Sequence, residues 1–283
     1  MRILLAGAAA IALSGCSFLG LGGHQDYKDY GYNAHTGNYG YQAHKPAPRK
    51  TCNSGQCLSR WNLEAAIGPS FIVGGDAITG NDTNDGFGAD INEISFNEGF
   101  DRGWRGELGG SYALSPNRKV TANVFYDEAN GSGPLDLGTI GADQLTGQLS
   151  DYQSYGAEVG VRQYFAPRRA PLLKSIRPYV GAKLGIARID DISLENAQLA
   201  GAAFGAGPIP LTDSDWVGTA AGLVGVETPI ARYTTLALES GIRYTQSPSS
   251  DNSVLSPGTA LAGINNGGGQ LSIPVMLRGR YRF

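Results

Sequence analysis

The chain has 283 residues, and its 22 basic and 25 acidic side chains leave a formal net charge of −3 with no basic block, so nucleic acid is not an expected partner. The mean hydropathy is −0.18. No apolar run after residue 15 is long enough for a membrane helix. A membrane protein of this composition would have to be a barrel, because alternating strands average out to near neutrality.

In chain order, residues 1–15 read as a secretory signal peptide. Arg2 supplies the positive start, Ile3 to Leu13 form a short apolar run, and small residues follow. Two processing routes fit. Leu13-Ser14-Gly15-Cys16 resembles a bacterial lipobox, in which Cys16 becomes the acylated first residue, and Ser17 then fits sorting to the outer membrane. Ordinary cleavage nearby would instead remove Cys16 or leave it free. An acyl chain on a barrel would be a second anchor.

Residues 16–60 read as a flexible periplasmic tail, rich in Gly, Tyr, Asn and His and holding no helix or strand period. Tyr30-Gly31-Tyr32-Asn33-Ala34-His35 recurs as Tyr39-Gly40-Tyr41-Gln42-Ala43-His44. Two copies are too few for a solenoid. The segment is either a polar spacer or a contact site for a periplasmic protein or glycan. Cys52 and Cys57 flank the turn-forming Asn53-Ser54-Gly55-Gln56. In an oxidising compartment they are expected to form a local disulfide. A metal pair would lack the remaining ligands of a structural site.

From Trp61 onward the apolar period becomes two, and residues 61–283 read as an all-β domain of eight antiparallel strands closed into a transmembrane barrel. The expected strands are 61–73, 103–114, 119–127, 152–165, 176–188, 215–228, 233–246 and 270–283. In the first, Leu63, Ala65 and Ile67 face out and Glu64 faces in. In the last, Leu271, Ile273, Val275, Leu277, Tyr281 and Phe283 share one face, and Arg278, Arg280 and Arg282 the other. The 215–228 strand is the least distinct, because both its faces are apolar or small until Glu227. Each segment supplies the ~9–11 tilted residues that cross a bilayer. Links after the odd-numbered strands are long and rich in Gly, Asp and Asn. Those after the second and sixth are short turns, and the link after the fourth is intermediate and basic, with Arg168, Arg169 and Lys174. Ile91 to Phe100 could add a hairpin, so ten strands stay open.

In hydrocarbon every backbone N–H and C=O must be paired within the protein, which a closed sheet achieves with no open edge. The outer face must then be apolar and the inner one can carry charge. Trp104, Trp216 and Tyr244 fall at one set of strand ends, and Trp61, Tyr233, Phe165 and Phe283 at the other, as two aromatic girdles. The expected interior charges are Glu64, Arg105, Glu107, Glu158, Arg162, Lys183, Glu227, Glu239, Arg243, Arg278 and Arg280. An eight-stranded barrel is filled by its own side chains, so these charges must pair. They form either a salt-bridged plug or a narrow gated pore whose pairs exchange.

The ending Val275-Met276-Leu277-Arg278-Gly279-Arg280-Tyr281-Arg282-Phe283 alternates and stops on phenylalanine. It resembles the terminal signal by which outer-membrane barrels are recognised for assembly, with Tyr281 and Phe283 as the signal residues. Residues 61–283 resemble the small OmpA-type and opacity-type barrel domains. The resemblance implies an outer-membrane location with both chain ends periplasmic and long loops extracellular. It also implies lipid, lipopolysaccharide and the barrel assembly machinery as partners. A periplasmic peptidoglycan-binding domain after the barrel is not expected.

Barrel hydrolases that resemble this architecture use a barrel histidine. Here His24, His35 and His44 all lie in the tail, so a Ser–His or Asp–His device is absent after residue 44. No cofactor and no resident metal are expected. Asp76, Asp82, Asp85, Asp90, Glu93, Glu98 and Asp101 crowd the first long loop, as a solvated acidic loop or as a cation bridge to lipopolysaccharide. The stretches 197–210 and 255–269 are apolar and small and are expected to contact other surface components. The function expected is non-enzymatic, a structural or surface-interaction protein of the envelope; the alternative is a narrow small-solute or ion channel.

Overall fold

The computed structural model describes residues 60–80, 88–167, 175–205, 207–251, 261 and 263–283. The expected signal, tail, lipidation site and disulfide lie outside them, as do Asp82, Asp85 and the basic stretch 168–174.

In chain order the elements are β1 (Trp61–Gly74), β2 (Asp76–Ile78), β3 (Ala89–Ile91), β4 (Ile94–Ser95), α1 (Phe96–Gly99), β5 (Gly103–Ser115), β6 (Arg118–Ala129), β7 (Leu135–Ile140) and β8 (Asp143–Leu149). They continue with β9 (Tyr152–Tyr164), β10 (Arg177–Ile189), β11 (Ile192–Leu199), β12 (Ala202–Ala203), β13 (Ile209–Thr212), β14 (Asp215–Pro229), β15 (Thr234–Thr245) and β16 (Gln270–Arg282). Eight of them close into an antiparallel barrel in the order β1-β16-β15-β14-β10-β9-β6-β5. These are the eight expected segments, each within two residues of its expected bounds. Closure is made by β1, which pairs with β5 on one side (Ala65↔Leu108) and β16 on the other (Ala65↔Gly279).

The period-two pattern is the reason for this sheet. Along β1 the residues Trp61, Leu63, Ala65 and Ile67 are exposed, while Asn62, Glu64 and Ala66 between them are buried. The same alternation runs along β6, where Val120, Ala122, Val124 and Tyr126 point out and Lys119, Thr121, Asn123 and Phe125 point in. The sheet is therefore inverted relative to a soluble domain, with apolar side chains outside and charged ones inside. Leu184 is 65% exposed and Arg105 is 1% exposed. In water so large an apolar surface would be strongly unfavourable; in lipid it is the matching surface. No described helix is long and apolar enough to cross a membrane, so crossing falls to the strands.

Aromatic rings bound the apolar band at both ends. Phe71, Trp104, Tyr126, Tyr155, Trp216 and Tyr244 are exposed on the half nearer the long loops. Trp61, Phe165, Tyr281 and Phe283 are exposed at the end with the short turns. Strand pairing levels the first band: Tyr126 lies opposite Tyr155, and the rings of Tyr155 and Trp216 lie 6.5 Å apart.

The long loops pack on one another. A second sheet, in the order β12-β11-β8-β7-β3 with β13 on β11, is built from three of them. Its inner side meets α1 and the last inward residues of the barrel strands. Ile78, Phe96, Phe100, Leu137, Leu145, Leu149, Ile192, Leu194, Ile209, Leu211 and Ile264 are buried there with Phe125, Tyr152, Ile189 and Val217 of the barrel. In the stretches read as contact surface, Ala197, Ile209, Leu261 and Ile264 are core residues, while Gln198, Ala200 to Ala203, Gly205, Gly207 and Pro208 stay exposed. Small apolar residues near a barrel mouth bury each other first, because the hydrophobic effect acts on any surface within reach. The hairpin left open at Ile91 to Phe100 does not add to the barrel: β4 pairs with β2, α1 follows, and the barrel has eight strands. Gly138 fits this sheet by its φ of 106°, and an added Cβ would lie 2.0 Å from the Asp90 carbonyl oxygen.

Candidate functional site

The distinctive chemistry of this chain lies in the barrel lumen. Inward positions on the eight strands bring seven cations and six carboxylates into it, all 9% exposed or less: Arg105, Lys119, Arg162, Lys183, Arg243, Arg278 and Arg280 against Glu64, Glu107, Asp127, Glu158, Glu227 and Glu239. The structure places every one of the eleven sequence-assigned charges here. Lys119 and Asp127 were missed. Their signal was strand parity, since both lie an even number of residues from Thr121 on β6.

The charges form one continuous chain of contacts along the barrel. Nearest the loops, Arg105 donates from Nη1 to Asp127 (3.0 Å), from Nε to Glu107 (3.0 Å) and from Nη2 to Glu158 (3.4 Å). At mid-height Arg243 grips both oxygens of Glu158, with Nη2 at 2.9 Å. Lys183 Nζ donates to Glu107 at 2.7 Å and lies 3.6 Å from Glu158. Arg278 bridges Glu107 at 2.6 Å, Glu239 at 2.8 Å and Glu64 at 3.4 Å. Lower still, Glu64 also takes Arg162 at 2.6 Å and Arg280 at 2.8 Å. Arg280 reaches on to Glu227, which lies 3.9 Å from Lys119. Residues on strands that are not paired, such as Glu64 of β1 and Arg162 of β9, meet because the barrel interior brings all eight strands within side-chain reach.

Both ends of this network are closed. At the loop end the Arg105 guanidinium stacks 4.0 Å from the Phe125 ring centre, and that ring belongs to the apolar core above. At the turn end Tyr164 and Tyr179 pack with ring centres 5.0 Å apart. Tyr179 donates to Glu239 at 2.9 Å, and Lys119 and Arg177 lie 4.8 and 4.6 Å from the Tyr164 ring. Gly225 makes room for Tyr179, since an added Cβ would sit 2.4 Å from its Cζ. A void of about 20 Å³ bordered by Glu107, Lys183, Leu223, Glu239, Arg243 and Met276 has room for one water molecule.

Chemically this arrangement neutralises and fills. Each lumen carboxylate already has cationic partners, which removes the reason to bind a metal ion there. Among the described residues no cluster of three metal-ligating side chains occurs. In the first loop Asp76 is half-buried, and Asp90, Glu93, Glu98 and Asp101 are exposed and do not converge on one point. Ser95 donates to Glu98 from its hydroxyl (2.8 Å) and its backbone N–H (3.2 Å). These bonds hold the Glu98 carboxyl below its ordinary range. Tyr281 and Phe283 stand exposed at the turn end with ring centres 5.5 Å apart, and Arg282 is exposed beside them.

A closed antiparallel barrel, apolar outside between two aromatic bands and ionic inside, defines a transmembrane β-barrel of the outer-membrane type. No protein-family model and no curated protein matches the chain. Among solved structures it is similar to Neisserial surface protein A, at 13% identity and a TM-score of 0.41, over 81% of this chain and 100% of that one. It is also similar to the N-terminal barrel domain of Pseudomonas aeruginosa OprF, at 11% identity and 0.34, over 80% and 100%. A third likeness is to the outer-membrane protease OmpT of Escherichia coli, at 10% identity and 0.39, over 81% and 99%. These are likenesses of chain path and carry no argument about activity.

Proposed function

We propose that this chain is a non-enzymatic protein of the bacterial outer membrane, whose barrel anchors an ordered platform of loops for a structural or surface-interaction role. One observation carries this reading: the lumen is filled along its length by a connected ion network and capped by an apolar core, so the barrel holds something up rather than letting something through. In the proposed orientation the long loops are extracellular and both chain ends periplasmic. Lipid and lipopolysaccharide surround the barrel, the assembly machinery reads Tyr281 and Phe283, and acylated Cys16 gives a second attachment through the tail. Cys52 and Cys57 would close a local disulfide in that tail, which is free to meet a periplasmic protein or glycan.

The test is planar-bilayer recording on refolded protein. A closed baseline over the working voltage range is expected. Defined, reproducible single-channel steps would put a narrow channel in place of the plug. Mass spectrometry of the mature N-terminus tests the lipid: an unmodified terminus at a residue other than Cys16 removes it from the proposal.

A further inference from the structure

We propose that the turn end of the barrel carries a binding rim for anionic phospholipid headgroups, made by Arg118, Arg232 and Arg282 with Arg60 and Arg177 beside them. The proposal rests on the membrane reading above and goes beyond it by naming a lipid class and the residues that select it.

Three observations converge. The first is distribution. Arg60 precedes β1, Arg282 ends β16, Arg232 lies in the turn between β14 and β15, Arg177 opens β10 and Arg118 opens β6. Going round the barrel, the cations are therefore spread over its whole circumference. Arg118, Arg232 and Arg282 are exposed.

The second is the lack of counter-charge. Among the described residues of this end, no exposed Asp or Glu side chain occurs. Glu227 is buried and held by Arg280. Arg118, Arg177 and Arg232 have neutral partners. Arg118 donates from Nε to Gln163 at 2.8 Å, Arg177 donates to Asn117 Oδ1 at 2.9 Å, and Arg232 stacks 5.2 Å from the Tyr233 ring. These contacts orient guanidinium groups without neutralising them. The opposite end carries exposed carboxylates instead, among them Asp90, Glu93, Glu98, Asp101, Asp136 and Asp143.

The third is depth, and it selects the occupant. Exposed Trp61, Phe165, Ile230, Tyr281 and Phe283 interleave with the arginines. Aromatic rings of this kind settle at headgroup level, and the long arginine stem reaches from the apolar band to the phosphates just beyond it. Cations at that depth meet lipid phosphate before they meet anything soluble. Guanidinium suits phosphate by its planar fork of donors.

The experiment measures lipid selectivity of the full chain reconstituted in phosphatidylcholine vesicles, by electron spin resonance of spin-labelled phosphatidylglycerol against spin-labelled phosphatidylcholine. Phosphatidylglycerol is expected to associate about threefold more strongly at low salt, consistent with the attraction of basic residues near an anionic surface. The preference should fall towards parity at 1 M salt, where the screening length is about 3 Å. It should also fall in R118Q/R232Q/R282Q. Parity in the wild type, or an unchanged preference in the triple variant, overturns the proposal. So does parity combined with pelleting of the protein by purified peptidoglycan, which would give the rim to an acidic glycan. The β-type circular dichroism spectrum and heat-dependent gel mobility are recorded on the same samples. If these persist while selectivity is absent, the lipid rim alone fails; if these are lost, the membrane barrel itself fails.

Discussion

Replacing Glu64 by glutamine should cost this barrel about 3–5 kcal/mol, in the range for breaking a buried ion pair from one side. Glu64 is 1% exposed and serves three guanidinium groups: Arg162 at 2.6 Å, Arg280 at 2.8 Å and Arg278 at 3.4 Å. At charge separations near 4 Å and an effective dielectric of about 20, each contact is worth about 4 kcal/mol of attraction, or roughly 12 in all. Two effects reduce that figure. Glutamine carries no charge to desolvate and still accepts hydrogen bonds. The three arginines also keep other carboxylates: Glu239 for Arg162, Glu227 for Arg280, and Glu107 with Glu239 for Arg278. The assay is equilibrium unfolding in urea from lipid vesicles, followed by the fluorescence of the three tryptophans and by gel mobility. E93Q, on the exposed first loop, is the control and should leave the midpoint unchanged. The double variant E64Q/R162M should recover part of the loss, because it removes one of the stranded charges as well. A loss below about 1 kcal/mol for E64Q, with the control behaving as stated, would refute the view that the ion network holds the lumen together.

Other outcomes follow from the same structure. Leu184→Arg, near the middle of the apolar band, should cost about 2–4 kcal/mol of stability in bilayers; a variant that refolds into vesicles as well as the wild type would mean that this face does not meet lipid. Leu211→Ala, at 0% exposure in the loop core, should loosen the loop platform locally by about 2–5 kcal/mol. Limited proteolysis should then cut within residues 190–214 while heat-dependent mobility of the barrel persists, and unchanged protease resistance would contradict the core assignment. Gly225→Val should displace Tyr179 from Glu239 and open the turn end; it is checked by the appearance of conductance or a lowered urea midpoint, and neither change would show that the tyrosine pair seals nothing. Glu98 should titrate below an ordinary glutamate, as followed by NMR of its side chain. Its folded value is depressed, so its contribution to loop stability is present above the unfolded pKa and is lost as pH falls through the folded one. Ser95→Ala should move the titration up.

The barrel was readable from sequence because each strand states its two faces locally. Leu271, Ile273, Val275 and Leu277 against Arg278 and Arg280 can be sorted by counting alone, and a period of two admits one way to put the greasy set in lipid. The bounds of the eight barrel strands, the aromatic bands and eleven of the lumen charges followed from that count, while a further hairpin at Ile91 to Phe100 was left open. The loop platform was not readable. Leu145, Leu194 and Leu211 have no period that names a partner, and their burial depends on three loops meeting above one barrel mouth. The pairing of the charges was hidden for the same reason. Parity says that Glu64 and Arg162 face inward, but only closure of the sheet brings β1 and β9 within side-chain reach across the lumen. The sequence thus determined which side of the wall each residue takes, a property of the chain over a few residues. Tertiary structure decided what each inward residue touches, because those contacts join positions as far as 216 residues apart and exist only once the cylinder is closed.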